Sequence, residues 1–520
     1  MSSTDIPNKF NAAAYFVDRT AREHPDKTAI VYGTDEISYG YVQANVNRIG
    51  RALTELGVEI ENRVALLLYD SPAFVYTFFG AMKIGAVPVP VNTLLKQADC
   101  EYILEDSRAK VLVVDAQLLP EVAPALDGLR YLRHVVVVGS GQIQLGDRVE
   151  VHDFDDLLAA SKPELDAADT CKDDVAFWLY SSGTTGAPNA AVHLHHDMVV
   201  CTELYAKPVL RLTDRDRTFS IAKLFFAYGL GNSLYFPFAV GATTILFPGR
   251  PDPASIFQVV NTHRPTVFFG VPTSYSACLQ ALESGAQVDM SSVRIAVSAG
   301  EPLPAIICSR WLERTGVTIL DGIGTTEILH IFISNYEGDV RPGSSGRVVE
   351  GYEAKLLDDE DRPVPLGEIG NLVVRGDSIC SCYWNKHDIT RAAIQGEWIR
   401  TRDKYHLDAD GYFWYDGRSN DMLKVGGIWV SPAEVEQAIV EHPAVLECGV
   451  VGIQDADALM KPKAFVVLKE AGSGTDEMAR EIQEFVKSKL APYKYPRMVE
   501  FVDDLPKTAT GKIQRYKLRT

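Results

Sequence analysis

The chain has 520 residues, which is too long for one ordinary domain and predicts two or more. Its 46% hydrophobic and 23% charged residues are typical of a globular protein rather than a disordered or fibrous one. The net charge of -18 argues against a nucleic-acid partner, because binding to phosphate backbones requires clustered Lys and Arg. Small anionic ligands remain possible, since they respond to local charge.

Cysteine usage and hydropathy indicate a cellular location. The N-terminus is polar, and no apolar run approaches the roughly 20 residues that span a bilayer. The eight cysteines lack zinc-ligand spacing, and Cys380 and Cys382 form the one close pair. These features predict reduced thiols, a cytoplasmic protein and no membrane partner.

The first part of the chain alternates strand-like and helix-like segments. A short apolar run at 63–68 and β-branched runs at 109–115 and 134–139 predict buried strands, and 71–85 has helical spacing. Further strand-like runs and an extended proline segment lie at 86–92, 175–180, 243–249, 265–271, 294–300 and 317–324. This alternation predicts parallel sheets with crossover helices, an α/β fold.

The sequence pattern changes after about residue 340. Short strands joined by Gly, Pro and Asp turns predict a small β subdomain at about 340–415. A helix is predicted to begin at Ser431-Pro432, and the last 100 residues or so form a small α/β unit. From Glu484 to Thr520 there are nine Lys/Arg and four Asp/Glu, which fits either a solvated face or an anion site.

Four motifs could carry chemistry. Ser-Ser-Gly-Thr-Thr-Gly at 181–186 follows a strand and could hold an anion on its backbone N–H groups and hydroxyls, although it is not a Walker A sequence. The stretch 321–327 is a glycine-rich turn ending in Glu327, after a strand whose carboxyl end is where ligands bind in open sheets. The others are 415–427 and the C-terminal 505–519, which contains Lys512.

Together, these motifs resemble the adenylate-forming enzymes: acyl-CoA synthetases, firefly-type luciferases and peptide-synthetase adenylation domains. The resemblance covers nearly the whole chain. It implies a large N-terminal domain (1–417) of two βα-layered sheets plus a small β-barrel-like subdomain, a hinge (418–421), and a small mobile α+β C-terminal domain (422–520). It also implies ATP, Mg²⁺ and coenzyme A: a carboxylate attacks ATP to give an acyl-adenylate, and a thiol then displaces AMP.

The resemblance assigns roles residue by residue. Lys512 would bridge carboxylate and phosphate, Glu327 would bind Mg²⁺, Thr326 would donate to the α-phosphate, and Lys424 would serve either half-reaction. Asp403, with Arg418 beside it, would bind the ribose, although the family usually has Gly where Arg402 stands. The remaining ATP or AMP contacts would be Ser181, Ser182, Gly183, Thr184, Thr185, Gly186, Gly300, Glu301, Pro302, Asp321, Gly322 and Ile323.

Rotation of the small domain would separate the two half-reactions. Asn420 stands at the family's hinge position, and Asn readily adopts unusual backbone angles. The rotation would withdraw Lys512 and bring Gly426 and Gly427 to a thiol tunnel, since they have no side chains to block a pantetheine arm. The basic tail would then face the phosphates of coenzyme A.

The acid pocket favours an aromatic carboxylate. Amino-acid-activating relatives have Asp where Phe226 stands, so a substrate ammonium would be left unpaired here at a cost of several kcal/mol. The segments 225–232 and 321–332 resemble the benzoate-CoA ligase subgroup. That resemblance places seven residues around the ring: Phe226, Ala227, Tyr228, Gly229, Gly324, His330 and Ile333.

The expected function is therefore a benzoate-CoA ligase acting as a monomer or homodimer. A ligase for substituted benzoates such as hydroxybenzoate, an aryl-adenylating enzyme that loads a carrier protein, and a degenerate acyl-nucleotide-binding protein remain alternatives. The last is motivated by the loop, where Asn189 and Ala190 replace the family's Lys and Gly; a working site with weaker ATP binding is expected. His193, His195 and His196 lack metal-ligand spacing and are interpreted as structural.

Overall fold

A computed structural model describes residues 5–140, 145–146, 148–181, 187–418, 422–425, 428–454, 460–470, 472–490, 494–507 and 513–519, with backbone only at 424–425, 428–429 and 516. Its mixed α/β architecture confirms the predicted fold class. Among the described residues, no helix is both long and apolar enough to cross a membrane.

The largest sheet has nine strands, and six consecutive strands at its centre are parallel. Antiparallel strands close both edges, a feature that the predicted parallel pattern did not include. Across the sheet the strands are Arg347–Val348, Ile331–Ser334, Ile319–Gly324, Ile295–Ser298, Val267–Gly270, Arg217–Ser220, Thr243–Leu246, Thr28–Tyr32 and Asp35–Ser38.

A second sheet is parallel throughout, as its continuous β-branched runs predict. Its strands, in spatial order, are Val87–Pro90, Arg63–Leu67, Val111–Asp115, His134–Val138 and Glu150–Asp153. Two antiparallel sheets follow. One contains Cys382–Tyr383, Asn189–Leu194 and Val175–Ser181, and the other contains Glu353–Leu357, Gly370–Arg375, Trp398–Leu407, Ile394–Gln395 and Phe413–Arg418.

Helices cover these sheets and bury a shared apolar core. Before residue 400 the α-helices are Arg19–Glu23, Tyr39–Glu55, Pro72–Lys83, Gln97–Ser107, Leu119–Leu126, Phe154–Ala160, Asp197–Cys201, Ala227–Leu230, Phe236–Val240, Pro253–His263, Pro272–Glu283, Ala305–Thr315 and His387–Ala393. Shorter π-helical and 3₁₀ segments are Ala14–Asp18, Thr202–Ala206, Gly231–Tyr235, Met290–Ser292 and Thr326–Ile328.

The C-terminal part builds a core of its own from residues 423–501. Its strands are Leu423–Val425, Ile428–Val430, Val445–Gln454, Met460–Leu468 and Met498–Phe501, and its helices are Pro432–Val440, Asp476–Lys489 and Arg515–Leu518. The side chain of Ser431 accepts a hydrogen bond from the Glu434 N–H at 3.1 Å, which is the predicted N-cap with Pro432 in the first turn. The proposed boundaries at 417 and 422 stay predictions.

Candidate active site

The Ser/Thr/Gly loop joins two antiparallel strands. Strand Val175–Ser181 leads into it, and the chain returns directly as strand Asn189–Leu194, with Ser181 paired opposite Asn189. Ser182, Gly183, Thr184, Thr185 and Gly186 lie outside the described residues, so their phosphate contacts stay predictions.

Glu327 lies beside the base of this loop. It belongs to the single turn Thr326–Ile328, which is capped where the Thr325 hydroxyl accepts from the Ile328 N–H at 3.2 Å. Its Oε1 accepts hydrogen bonds from Ser181 Oγ at 3.2 Å and from the Tyr383 hydroxyl at 2.9 Å. A carboxylate held next to a phosphate-binding loop suits a hard cation such as Mg²⁺.

Burial, followed by the charge of Glu327, raises the pKa of Tyr383, which keeps this hydroxyl protonated as a donor. Tyr383 is a site residue that the sequence did not indicate, because it lies 56 positions from Glu327 in a strand of two residues.

Two buried side chains support the turn from behind. His193 Nε2 lies 2.8 Å from the Thr326 carbonyl oxygen, and His193 Nδ1 lies 2.7 Å from Asp197 Oδ2. Both side chains are fully buried. The other two histidines also contact the chain locally: His195 Nδ1 accepts from the Ala12 N–H, and His196 lies between the Lys172 and Asp377 carbonyl oxygens.

The two predicted adenine walls meet at one sheet edge. Strands Ile295–Ser298 and Ile319–Gly324 are parallel neighbours, with Ser298 opposite Asp321, so their carboxyl ends bring the two walls together. Gly300, Glu301 and Pro302 follow the first strand, while Asp321, Gly322 and Ile323 lie in the second.

Asp321 brings a buried carboxyl to this sheet edge. Its side chain is 5% exposed, and its Oδ1 has no hydrogen-bond partner among the described residues. Burial raises the pKa of the carboxyl well above its usual range. A buried oxygen without a donor is costly unless a ligand supplies one, and the exocyclic amine of adenine would do so.

The predicted ribose site is formed by adjacent antiparallel strands. Asp403 in Trp398–Leu407 lies opposite Arg418 in Phe413–Arg418, and Arg418 Nε is 3.3 Å from Asp403 Oδ1. The Asp403 side chain is nearly buried, whereas that of Arg418 is about half exposed.

The backbone explains the family's glycine at position 402. Arg402 has a φ of 66°, in the left-handed region that costs an L-residue roughly 1–2 kcal/mol relative to glycine. The free energy of unfolding of the Arg402→Gly variant should therefore be about 1 kcal/mol higher, which denaturant unfolding would show as a higher midpoint. Arg402→Ala is the matched control, because it removes the side chain but keeps Cβ. If both variants change stability equally, the side chain rather than the backbone determines the effect.

The predicted acid pocket centres on two rings. The Tyr228 and His330 ring centroids are 5.6 Å apart, and His330 also contacts Phe236 at 4.4 Å. The Tyr228 hydroxyl reaches the carbonyl oxygens of Gly270 and Val297 at 3.3 and 3.2 Å, at the same sheet edge as the adenine walls. The structure thus brings these acid-pocket residues to the adenine walls.

His330 is neutral. Burial lowers the pKa of its imidazole to about 3, and its Nε2 lies 3.1 Å from Asn232 Oδ1. Since the carbonyl oxygen of Asn232 is an acceptor, Nε2 carries the proton and Nδ1 carries a lone pair. Nδ1 has no hydrogen-bond partner among the described residues.

Glycines shape the same region. A Cβ at Gly324 would lie 2.7 Å from the His330 carbonyl oxygen, and one at Gly229 would lie 2.1 Å from the Lys223 carbonyl oxygen. Phe226 and Ala227 begin the short helix that carries Tyr228. Ile333 is fully buried and pairs with Ile323 of the adenine wall. Their contacts with substrate stay predictions.

Several predicted residues cannot be placed. Lys512, Asn420, Gly426 and Gly427 lie outside the described residues, and only the backbone of Lys424 is described, in strand Leu423–Val425. The basic tail is described in part. Lys494 pairs with Glu434 at 2.6 Å, Lys507 with Glu447 at 2.6 Å, and Arg515 with Glu436 at 2.7 Å. These pairs compensate much of the tail's charge locally, which favours a structural role over binding to coenzyme A.

Two family models and a relative of similar length match this chain. The family model for AMP-binding enzymes matches residues 17–384, and the model for the AMP-binding enzyme C-terminal domain matches residues 434–512. The chain is 47% identical to a benzoate–CoA ligase of Thauera aromatica, over 99% of this chain and 97% of the relative.

Two solved structures match nearly the whole chain. An anthranilate CoA ligase, AuaEII, in complex with anthranoyl-AMP has a TM-score of 0.95 at 46% identity, covering 100% of this chain and 98% of that one. A benzoate CoA ligase from Burkholderia xenovorans LB400 has a TM-score of 0.90 at 45% identity, covering 98% and 100%.

Proposed function

The chain belongs to the AMP-binding enzyme family, and we propose that it is an AMP-forming aryl-CoA ligase with benzoate as its principal acid. The net reaction converts benzoate, ATP and coenzyme A into benzoyl-CoA, AMP and diphosphate. Full-length similarity to a benzoate–CoA ligase supports the proposal.

The uncharged aromatic pocket is the observation that supports an aromatic carboxylate as the substrate. Tyr228 and Phe236 flank His330, whose burial keeps it neutral. An aryl ring packs favourably against such groups, whereas the ammonium of an α-amino acid would be desolvated without a partner. Position 226, where amino-acid-activating relatives have Asp, is Phe.

The first half-reaction requires two anions to meet. The benzoate carboxylate attacks the α-phosphorus of ATP, the bond to the β-phosphate oxygen breaks, and diphosphate leaves. Glu327 would hold Mg²⁺, which offsets phosphate charge when bound, and Lys512 would supply positive charge between the reacting groups. Asp321 would accept from adenine, and Asp403 from the ribose hydroxyls.

The second half-reaction attacks the acyl carbon. The sulfur of coenzyme A forms the new thioester bond, and AMP leaves with the electron pair of the broken acyl–oxygen bond. Gly426 and Gly427 would line the path of the pantetheine arm, Lys424 would act in either step, and Asn420 would be the pivot between them. The same proposal includes a cytoplasmic location and a monomeric or homodimeric assembly.

A substrate panel tests the proposal. Diphosphate release and acyl-CoA formation are measured with benzoate, hydroxybenzoates, 2-aminobenzoate, acetate and octanoate. We expect the highest kcat/KM with benzoate. A higher value with acetate or octanoate would refute the aromatic pocket, and adenylate formation without thioester would indicate transfer to a carrier protein.

A substituted benzoate is the second candidate, because His330 Nδ1 is an acceptor without a partner among the described residues. A ring hydroxyl or amine could donate to it, and 46% identity to an anthranilate CoA ligase is consistent with that possibility. Apolar pockets reject an added hydroxyl only weakly, so activity with such acids is expected alongside benzoate.

The altered loop provides a further prediction. Asn189 lies opposite Ser181 at the base of the loop and is only 8% exposed. Asn189→Lys should lower the KM for ATP by up to about fivefold, since about 1 kcal/mol of charge interaction would be restored. Steady-state kinetics in ATP measure this, with Asn189→Gln as the uncharged control. An unchanged KM would show that no lysine contribution is missing.

A further inference from the structure

His193 links Asp197 to the Thr326 turn. Asp197 Oδ2 is 2.7 Å from Nδ1, and the Thr326 carbonyl oxygen is 2.8 Å from Nε2. A carbonyl oxygen can only accept, so Nε2 donates to Thr326. Asp197 Oδ2 also accepts from the Leu194 N–H at 3.1 Å, which ties the Asp197 side chain to the end of the strand that carries His193.

This pair lies directly behind the proposed catalytic turn. Thr326, whose carbonyl oxygen accepts from His193 Nε2, is followed by Glu327. Phe177 stacks on the His193 ring with centroids 5.1 Å apart, which fixes the plane of the imidazole. Because both side chains of the pair are fully buried, no water competes for these hydrogen bonds.

We infer that the buried, hydrogen-bonded His193–Asp197 pair is a positioning device that holds the Thr326–Glu327 turn in register with ATP. This inference rests on the proposed function, because it takes the turn to be the place where ATP and Mg²⁺ bind. His193 touches no substrate, so it is a positioning residue rather than a catalytic one.

Variants at position 193 separate positioning from folding. The Gln amide can place a donor near the position of Nε2 but does not reproduce the Nδ1 contact with Asp197, whereas Ala provides neither. We expect His193→Ala to lower kcat for benzoate-dependent ATP–diphosphate exchange by about tenfold or more, and to lower Tm. His193→Gln should recover most of that kcat while its Tm stays low, because Asp197 loses its 2.7 Å contact inside the core.

His195→Gln is the matched control, since His195 is a buried histidine of the same segment whose Nδ1 accepts from the Ala12 N–H rather than contacting Asp197 or Thr326. It should leave the exchange kcat unchanged. The inference is overturned if kcat follows Tm across all these variants, or if His193→Gln is as slow as His193→Ala. If the unmodified enzyme shows no exchange with any acid, the proposed function fails instead.

A separate cluster lies at the start of two strands in the five-stranded parallel sheet. His134 begins one strand and pairs with Glu150, the first residue of the edge strand, and His152 follows two residues later on the same face. His134 Nδ1 is 3.2 Å from His152 Nε2, and these atoms are 3.6 and 3.7 Å from Glu150 Oε2.

The distances between these three ligand atoms are close to those between the ligand atoms of a bound zinc ion. Ligands about 2.0–2.1 Å from a tetrahedral Zn²⁺ lie about 3.3 Å from one another. From this triangle we infer a second site, independent of the first, in which His134, Glu150 and His152 bind Zn²⁺.

Cobalt(II) and zinc titrations test this site in the full chain. We expect Co²⁺ to give visible d–d bands without a near-ultraviolet thiolate band, and Zn²⁺ to raise Tm. His152→Ala and Glu150→Gln should remove or weaken both signals, whereas His263→Ala, at an unrelated surface position, should not. Glu150 is mostly exposed, so Glu150→Gln tests binding without loss of fold. Equal metal stoichiometry in all four proteins would overturn the assignment.

Discussion

Lys512→Ala is expected to slow adenylate formation by roughly 10²–10³-fold, because one donor aimed at the developing charge is removed. Thiolysis of supplied benzoyl-adenylate by coenzyme A should be nearly unchanged, since the lysine would be withdrawn in that step. Diphosphate exchange measures the first half-reaction, and thioester formation from benzoyl-adenylate measures the second.

Lys517→Ala is the control, because it removes a lysine of the same tail outside the proposed site. It should alter neither half-reaction. Equal losses in both half-reactions with Lys512→Ala would mean that Lys512 stays in place throughout the cycle, and the two-orientation mechanism would then be wrong for this enzyme.

Gly229→Ala is expected to lower the free energy of unfolding by about 3 kcal/mol and to raise the KM for benzoate more than the KM for ATP. The new Cβ would lie 2.1 Å from the Lys223 carbonyl oxygen and 2.4 Å from that of Ala222, both backbone atoms that cannot rotate away. The helical turn Ala227–Leu230, which carries Tyr228, must shift to relieve the overlap. Denaturant unfolding and kinetics with each substrate varied measure the two effects.

Gly128→Ala provides the comparison, because a Cβ there would meet only the Ala125 carbonyl oxygen, at an ordinary 3.5 Å. It should change neither KM. If Gly229→Ala keeps wild-type stability and KM values, this close backbone approach does not shape the acid pocket.

The strongest sequence signals were those with a short-range physical cause. Continuous β-branched runs identified the parallel strands Val111–Asp115 and His134–Val138, because strands covered on both faces need no polar alternation. The turn ending in Glu327 follows a strand, as expected for a ligand-binding sheet edge. The acid-pocket position 226 needed the family resemblance, since Phe alone does not distinguish a pocket wall from core.

Long-range partners could not be predicted in this way. His193 and Asp197 are four residues apart, but the Thr326 carbonyl that explains them lies 133 positions away. Tyr383 and its bond to Glu327 lie in a two-residue strand with no periodic signal. The positive φ of Arg402 could not be predicted either, because an arginine gives no indication of a left-handed backbone. The basic composition of the tail fitted either a solvated face or an anion site. Its ion pairs with Glu434, Glu436 and Glu447 could not be predicted, because these partners are distant in the sequence.

The antiparallel connection of Val175–Ser181 to Asn189–Leu194 has an electrostatic consequence. Many phosphate loops lead into a helix whose N-terminus contributes partial positive charge, but this one returns into a strand. The scaffold therefore supplies no helix dipole directly after the loop, and Asn189 supplies no cation. In the proposed mechanism, the positive charge that offsets the diphosphate would then come from Mg²⁺ and Lys512 rather than from this hairpin. ATP affinity would in that case report how often the predicted mobile domain brings Lys512 to the site.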